Sequence, residues 1–394
     1  MSNNLHNVFR SRPSGFVNKI KPTEVQRNYL NECRVKVRRK IKQGLSSFIS
    51  EYTDFLVSPK FRIQGSWAYG TCNQPANPQQ EMDIDYGVYL PSSLFNNERS
   101  DSLAKKYFKA VEVLLIDLAK EERWQIDSSK ETCVRLKLQH QSHMDIPLYI
   151  VPDDMFNDLE EKNQMISEAS LAADQKMSIN SVYYCGLESF SYEDRLIKLD
   201  KITKIHMAIR SGGWKESDCE IIRKWYSDFL SKQEDKGRQL RYIARYLKAW
   251  RDYIFLEGGP SSILLMVIAN RYYSYKENRD DIALLNVIKF LPQALKNAVI
   301  EPSIPEHENE DFNRIPLDKR AECAEKAQNL YNHLKTSISV SDPNNAISFL
   351  RFSFGNRIPT DISLITIDSG TDSYFSESPK RVDKPNILLP VTGG

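Results

Sequence analysis

The stretch from Gln64 to Leu90, QGSWAYGTCNQPANPQQEMDIDYGVYL, constrains this chain most, because it sets a Gly-Ser turn ahead of two alternating carboxylates. In MDIDYGVYL the residues Met82, Ile84, Tyr86, Val88 and Leu90 alternate with Asp83, Asp85, Gly87 and Tyr89, the period-two pattern of a half-buried strand. Asp83 and Asp85 therefore leave the same face, roughly 7 Å apart along the strand. Two carboxylates so placed suit a pair of Mg²⁺ ions about 4 Å apart, the arrangement of in-line nucleotidyl transfer. An acidic pair on a strand is more often just its solvated face, so the pair does not carry that reading alone.

A third carboxylate strengthens it. CVRLKLQHQSHMDIPLYIV, from Cys133 to Val151, reads as two more alternating segments, Val134/Leu136/Leu138 and Met144/Ile146/Leu148/Ile150, joined by a polar turn at 139–142. Asp145 leaves the polar face of the second. Arg135 and Lys137 share the face opposite Val134 and Leu136, and the planar fork of Arg135 fits either a guanine edge or a carboxylate. Gly65 lets the backbone approach a triphosphate, with the Ser66 hydroxyl and nearby N–H groups as donors. Tyr69 suits stacking on a base, or plain packing beside the turn.

At 394 residues the chain can bury a large core, and two lobes are expected. Lys and Arg number 54 against 52 Asp and Glu, a net charge of +2. An enzyme that tracks nucleic acid carries a larger basic excess, so small nucleotides are the expected substrates and no direct nucleic-acid binding is expected. The six cysteines are dispersed without a CxxC pair, which implies a reducing compartment and no structural zinc. The N-terminal segment lacks the apolar core of a signal peptide, and the longest apolar run, Ile263 to Ala269, is far too short to span a bilayer. A cytoplasmic protein without a membrane partner is expected.

Residues 1–20 read as a polar segment wrapping a surface. From Pro22 to Leu56 the positions Leu30, Cys33, Val37, Ile41, Leu45, Phe48 and Tyr52 recur at helical spacing, with Arg34, Lys36, Arg38, Arg39, Lys40 and Lys42 on the other face. That basic face fits a solvated surface better than a polyanion site. A second helix runs over 102–122. Asp153 to Met177 reads as acidic and mixed, and the stretch after it, to about Ser211, as an irregular crossing between lobes. Ser217-Asp218 then opens a helix as caps, with base contact as the second possibility. In RQLRYIARYLKAWRDYIF, from Arg238, Leu240, Ile243, Leu247, Trp250 and Ile254 form the buried stripe. Arg241, Arg245, Lys248 and Asp252 fall opposite, making Lys248 either a triphosphate clamp or part of a solvated stripe. GGPSS, from Gly258, turns into an apolar helix whose Ser261 and Ser262 lie where N–H groups favour an anion. Helical patterns follow over 281–299, 318–337 and 344–354, and beyond 368 the chain reads as a flexible tail.

Taken together, QGSWAYGT, QEMDIDYGVYLP, HMDIPLYIVP, YLKAWRD, GGPSS and FGNRI resemble, in order and over roughly residues 20–360, the bacterial cGAS/DncV-like nucleotidyltransferases, especially the DncV type that makes cyclic GMP-AMP. The resemblance implies an α+β fold. A polymerase β-like nucleotidyltransferase lobe with a mixed sheet and a long spine helix (1–210) precedes a helical lobe (211–367) and a flexible tail (368–394) ending in Gly-Gly, with the active site in the cleft. It places two Mg²⁺ ions, which Mn²⁺ can replace, on Asp83, Asp85 and Asp145. Nucleotide contacts fall on Gln64, Ser66, Tyr69, Arg135, Lys248 and Ser262, and on Ser217 and Asp218 in a weaker block. Tyr86 departs from the pattern, since the DncV type carries a further acid directly after the second Asp.

By the same resemblance, ATP and GTP are joined into a 3′,3′-linked ring that a downstream effector reads in anti-phage defence. A fused E1/E2-like enzyme would conjugate the C-terminal Gly394 to a target. Other readings are another cyclic di- or trinucleotide product, a template-independent RNA nucleotidyltransferase, and a non-catalytic nucleotide sensor.

Overall fold

A computed structural model describes residues 2–50, 57–95, 101–157, 159, 205–217, 219–233 and 236–368. Strand β1 (Ser2–Asn4) and two short helices, α1 (His6–Arg10) and α2 (Phe16–Ile20), lead into the long helix α3 (Glu24–Ile49). Thr23 starts α3 with a capping box: its side chain accepts from Gln26 N–H while the Gln26 side chain accepts from Thr23 N–H. The heptad-like spacing is realised, with Leu30, Cys33, Val37, Ile41, Leu45 and Phe48 all buried. Tyr52 lies outside the described residues.

β2 (Lys60–Gln64) runs straight into the one-turn helix α4 (Gly65–Ala68), and β3 (Met82–Pro91) follows. α5 (Asp101–Glu122) precedes β4 (Gln125–Asp127), β5 (Val134–Leu138), β6 (Ser142–Ile146) and β7 (Leu148–Val151). β3 is the central strand. β2 pairs with it antiparallel on one side, while β6 and β7 pair with it parallel on the other, as one strand broken at Pro147. β5 and β4 extend the sheet beyond β6. Met82, Ile84, Tyr86, Val88 and Leu90 face α3 and α5 and form one core with them. The alternation thus delivers Asp83 and Asp85 to the opposite face, the one on which α4 sits. Tyr86 is buried on the side of α3 and α5 and stacks on Phe61 at 5.6 Å, so its departure from the expected acid does not alter the carboxylate face.

Two expectations are corrected. The end of the expected irregular crossing is a strand: β8 (Ile205–Ala208) forms a hairpin with β9 (Trp214–Ser217) that continues the sheet past β7, so the first lobe's sheet runs through the expected boundary at 210. Nor do residues 1–20 wrap a surface, since Leu5, Val8, Phe9, Phe16, Val17 and Ile20 are fully buried in the core of the helical lobe.

That lobe comprises α6 (Cys219–Lys232), α7 (Gly237–Ile254), α8 (Ser262–Tyr272), α9 (Asp280–Ile288), α10 (Leu291–Lys296), α11 (Leu317–Ser339) and α12 (Pro343–Phe354). Strand β10 (Thr366–Asp368) closes it by pairing with β1. Among the described residues no helix is long and apolar enough to cross a membrane. The tail and Gly394 lie outside the described residues.

Candidate active site

Sheet register builds the site. Gln64 on β2, Asp85 on β3, Asp145 on β6 and Arg135 on β5 stand in one row across four strands, and Asp83 pairs with His143 in the next row. The three aspartates are thus brought together as expected. Arg135 takes the carboxylate of its two expected partners: Nε and Nη2 donate to Asp145 Oδ1 and Oδ2, each at 2.6 Å. This bidentate pair fixes the Asp145 rotamer.

Gly65 has φ +58°, and a Cβ built there would lie 1.9 Å from Asp85 Oδ2. The glycine therefore serves the carboxylate as well as the turn: it lets the backbone after β2 close over Asp85. Trp67 Nε1 donates to Asp83 O at 2.9 Å, binding α4 to β3. Burial first, and then the charges of Asp83 and Asp145, push the Asp85 carboxyl up to about 7.

His143 was not singled out from the sequence, although the alternation that places Asp145 on the polar face also places residue 143 there. Its Nε2 lies 3.0 Å from Asp83 Oδ1 and its Nδ1 lies 3.0 Å from Glu81 Oε2. Burial disfavours the imidazolium, yet Asp83 beside it outweighs that and raises its pKa. Asp83, His143 and Asp145 each place a ligand atom within 4.8 Å of the others. Oxygen donors crowded until one of them resists ionisation suit a divalent cation.

Other expected contacts are distributed unevenly. Lys248 reaches the site: it is buried, Nζ donates to Thr71 O at 3.0 Å, and its charge acts on Asp85. Burial lowers its pKa to about 8. The solvated-stripe alternative is excluded, because Arg245 on the same face is buried too. Arg245 Nε donates to Gly70 O at 2.9 Å, and its Nη1 donates to Cys72 O. The Ser66 carbonyl accepts from Thr71 N–H at 2.8 Å, linking the Gly-Ser turn to this loop. Ser262 lies in the first turn of α8 and its hydroxyl accepts from Arg251, one turn beyond Lys248, at 2.9 Å.

Gln64 is turned away from solvent. Its amide donates to Tyr89 OH and accepts from Tyr149 OH, in a space that Gly87 keeps open. Tyr69 packs edge-on against Tyr226 at 5.6 Å. Ser217 ends β9 instead of opening the helix, and Asp218 lies outside the described residues.

The comparisons agree with this geometry. A family model described as the nucleotidyltransferase domain of the DncV-like cyclic GMP-AMP synthases matches residues 59–149, and one for the C-terminal domain of cyclic GMP-AMP synthase matches 237–367. The chain is similar to cyclic GMP-AMP synthase of Vibrio cholerae, 29% identical over 347 residues that cover 84% of this chain and 74% of the relative. It is equally similar to the Escherichia coli synthase, 29% identical over 355 residues, 85% of this chain and 76% of the relative. In fold it matches Vibrio cholerae DncV in complex with the linear intermediate 5′ pppA(3′,5′)pG, with TM-score 0.68 and 23% identity over 94% of this chain and all of that one. Escherichia coli DncV in its 3′-deoxy GTP bound form gives TM-score 0.68 and 21% identity over 92% of this chain and 99% of that one.

Proposed function

This chain belongs to the DncV-like nucleotidyltransferases, and from that premise we propose that it joins ATP and GTP into 3′,3′-linked cyclic GMP-AMP. The observation that carries the reading is the register row that brings Asp85, Asp145 and Arg135 together beside Asp83 on one face of the sheet. Asp83, Asp85 and Asp145 would hold two Mg²⁺ ions, which supply a more acidic ribose hydroxyl and charge neutralisation at the leaving pyrophosphate.

The chain's own residues do the rest by position. Gly65 and the N–H groups after it admit the triphosphate close to the carboxylates, and Ser66 donates to it. Lys248, in its charged form, offsets phosphate charge from the helical lobe. Arg135 keeps Asp145 aimed across the cleft. No side chain need form a covalent intermediate, because the same site can act again on the turned-over linear dinucleotide and close the ring.

The setting follows the same reading. The product signals to an effector in anti-phage defence in the cytoplasm, and an E1/E2-like enzyme conjugates Gly394. Loss of the conjugate's mass shift in Gly394→Glu is expected, and its persistence would end that part of the proposal.

Purified protein incubated with the four labelled NTPs and Mg²⁺, then with phosphatase, tests the central claim. A resistant product with the mass of cyclic GMP-AMP, absent for Asp83→Asn/Asp85→Asn, is expected. A ladder of lengthening RNA, or full activity of the double variant, would overturn it.

A further inference from the structure

Each carboxylate of the site is held by a different device. Asp145 is gripped by the Arg135 fork. Asp85 is enclosed under the Gly65 turn. Asp83 has neither, and its side chain is 47% exposed against 14% for Asp145. Trp67 fixes its carbonyl but not its side chain. Facing two like charges, such a side chain gains by swinging out to water.

We propose that His143 is the positioning residue for Asp83, tethering its carboxylate inside the metal-binding face, with Glu81 holding the imidazole in place. The inference rests on the nucleotidyl-transfer reading of this site. Three observations support it. The parallel register sets His143 directly beside Asp83, so the contact is built into the strand pairing and does not depend on a loop. Nδ1 is hydrogen-bonded to Glu81 Oε2 at 3.0 Å, which leaves Nε2 in an ion-pair contact 3.0 Å from Asp83 Oδ1, two buried atoms that have no hydrogen bond to any other group. The ring is only 9% exposed, which limits its rotation.

A tether to one oxygen leaves the second oxygen of Asp83 for an ion. Carboxylate–histidine pairs that orient a metal ligand are a general device, and their loss typically weakens metal affinity about 10–100-fold. His143 would act through Asp83 without contacting the nucleotide.

Mn²⁺ binding to the full chain, followed by electron paramagnetic resonance with a non-hydrolysable ATP analogue present, tests this without relying on turnover. His143→Ala should weaken Mn²⁺ binding about 10–100-fold, and His143→Gln should recover part of the loss. Glu81→Gln should shift affinity in the same direction by less, and because Glu81 is 35% exposed this variant keeps the test available if His143→Ala folds poorly. Unchanged Mn²⁺ affinity in both His143→Ala and Glu81→Gln would overturn the inference. So would a directly coordinated ¹⁴N signal in the wild type, which would make His143 a ligand instead of a tether. If Asp83→Asn/Asp85→Asn also bound Mn²⁺ like the wild type, the metal-site reading itself would fall.

Discussion

At Gly65, local conformation and chemistry meet in one hydrogen atom. A positive φ alone would make alanine uncomfortable there, by about 1 kcal/mol, but the added methyl would also sit 1.9 Å from Asp85 Oδ2. Either the carboxylate must turn away or the α4 turn must lift. Gly65→Ala should therefore lower kcat at least 100-fold while the melting temperature falls by only a few degrees. Calorimetry beside steady-state kinetics checks the split, and near-wild-type turnover would refute it. The sequence pointed to this glycine for its approach to phosphate, but its contact with Asp85 depends on the antiparallel pairing of β2 with β3. Gln64 shows the same limit. It stands in register with Asp85, yet the space above Gly87 draws its amide between Tyr89 and Tyr149, and no spacing rule reveals which way a side chain will turn.

The elements that were legible are those whose period is long and unbroken. α3 buries its apolar positions from Leu30 to Phe48 on one face, and the first half of β3, Met82 to Asp85, alternates between buried apolar residues and half-buried aspartates. β8 and β9 were missed because IHMA and WKES are four residues each, and the second buries none of them fully. α7 misleads differently. Its second face is charged, as on a surface helix, yet Arg245 and Lys248 are buried against the other lobe. They bind the carbonyls of Gly70, Thr71 and Cys72 in the loop that follows α4. Asn73 completes the seam by donating to Arg245 O at 2.9 Å. One helix of the second lobe thereby sets the loop that supports the Gly-Ser turn of the first. Arg245→Ala strips buried carbonyls of their donor, which should cost about 3 kcal/mol and raise the KM for nucleotide. Arg245→Lys should recover little, because an ammonium cannot reproduce the fork. Thermal denaturation and nucleotide titration of both variants check this, and full recovery by lysine would show that charge alone suffices.

Over the whole molecule, the chain's first residues complete its second lobe. Ser2–Asn4 pairs with Thr366–Asp368, and Phe9 and Phe16 pack with Tyr246 and Phe354. Pro13 and Gly15 interrupt the apolar residues of this segment, so no helical period announces its burial. Its polar anchor is a pair of fully buried acids. Asp281 accepts from Leu5 N–H at 3.1 Å. Asp280 lies 3.3 Å from Arg10 Nη1 and accepts from Gln239 and Tyr246.

Burial alone would raise the Asp280 pKa. The contacts from His6, Arg10 and Gln239 more than offset it, so the folded value lies below the ordinary one. A carboxyl depressed on folding contributes stability that is complete above its unfolded pKa of about 3.9 and is lost as pH falls through the folded value. Asp280→Asn leaves Arg10 without its buried partner and should destabilise the protein by about 3 kcal/mol near neutral pH. The gap from wild type should stay constant down to about pH 5 and close below about pH 4, as the native acid itself becomes neutral. Calorimetry of both proteins across that range measures it. A gap that persisted unchanged at the acid end would mean that shape, and not charge, holds the N-terminal segment in the helical lobe.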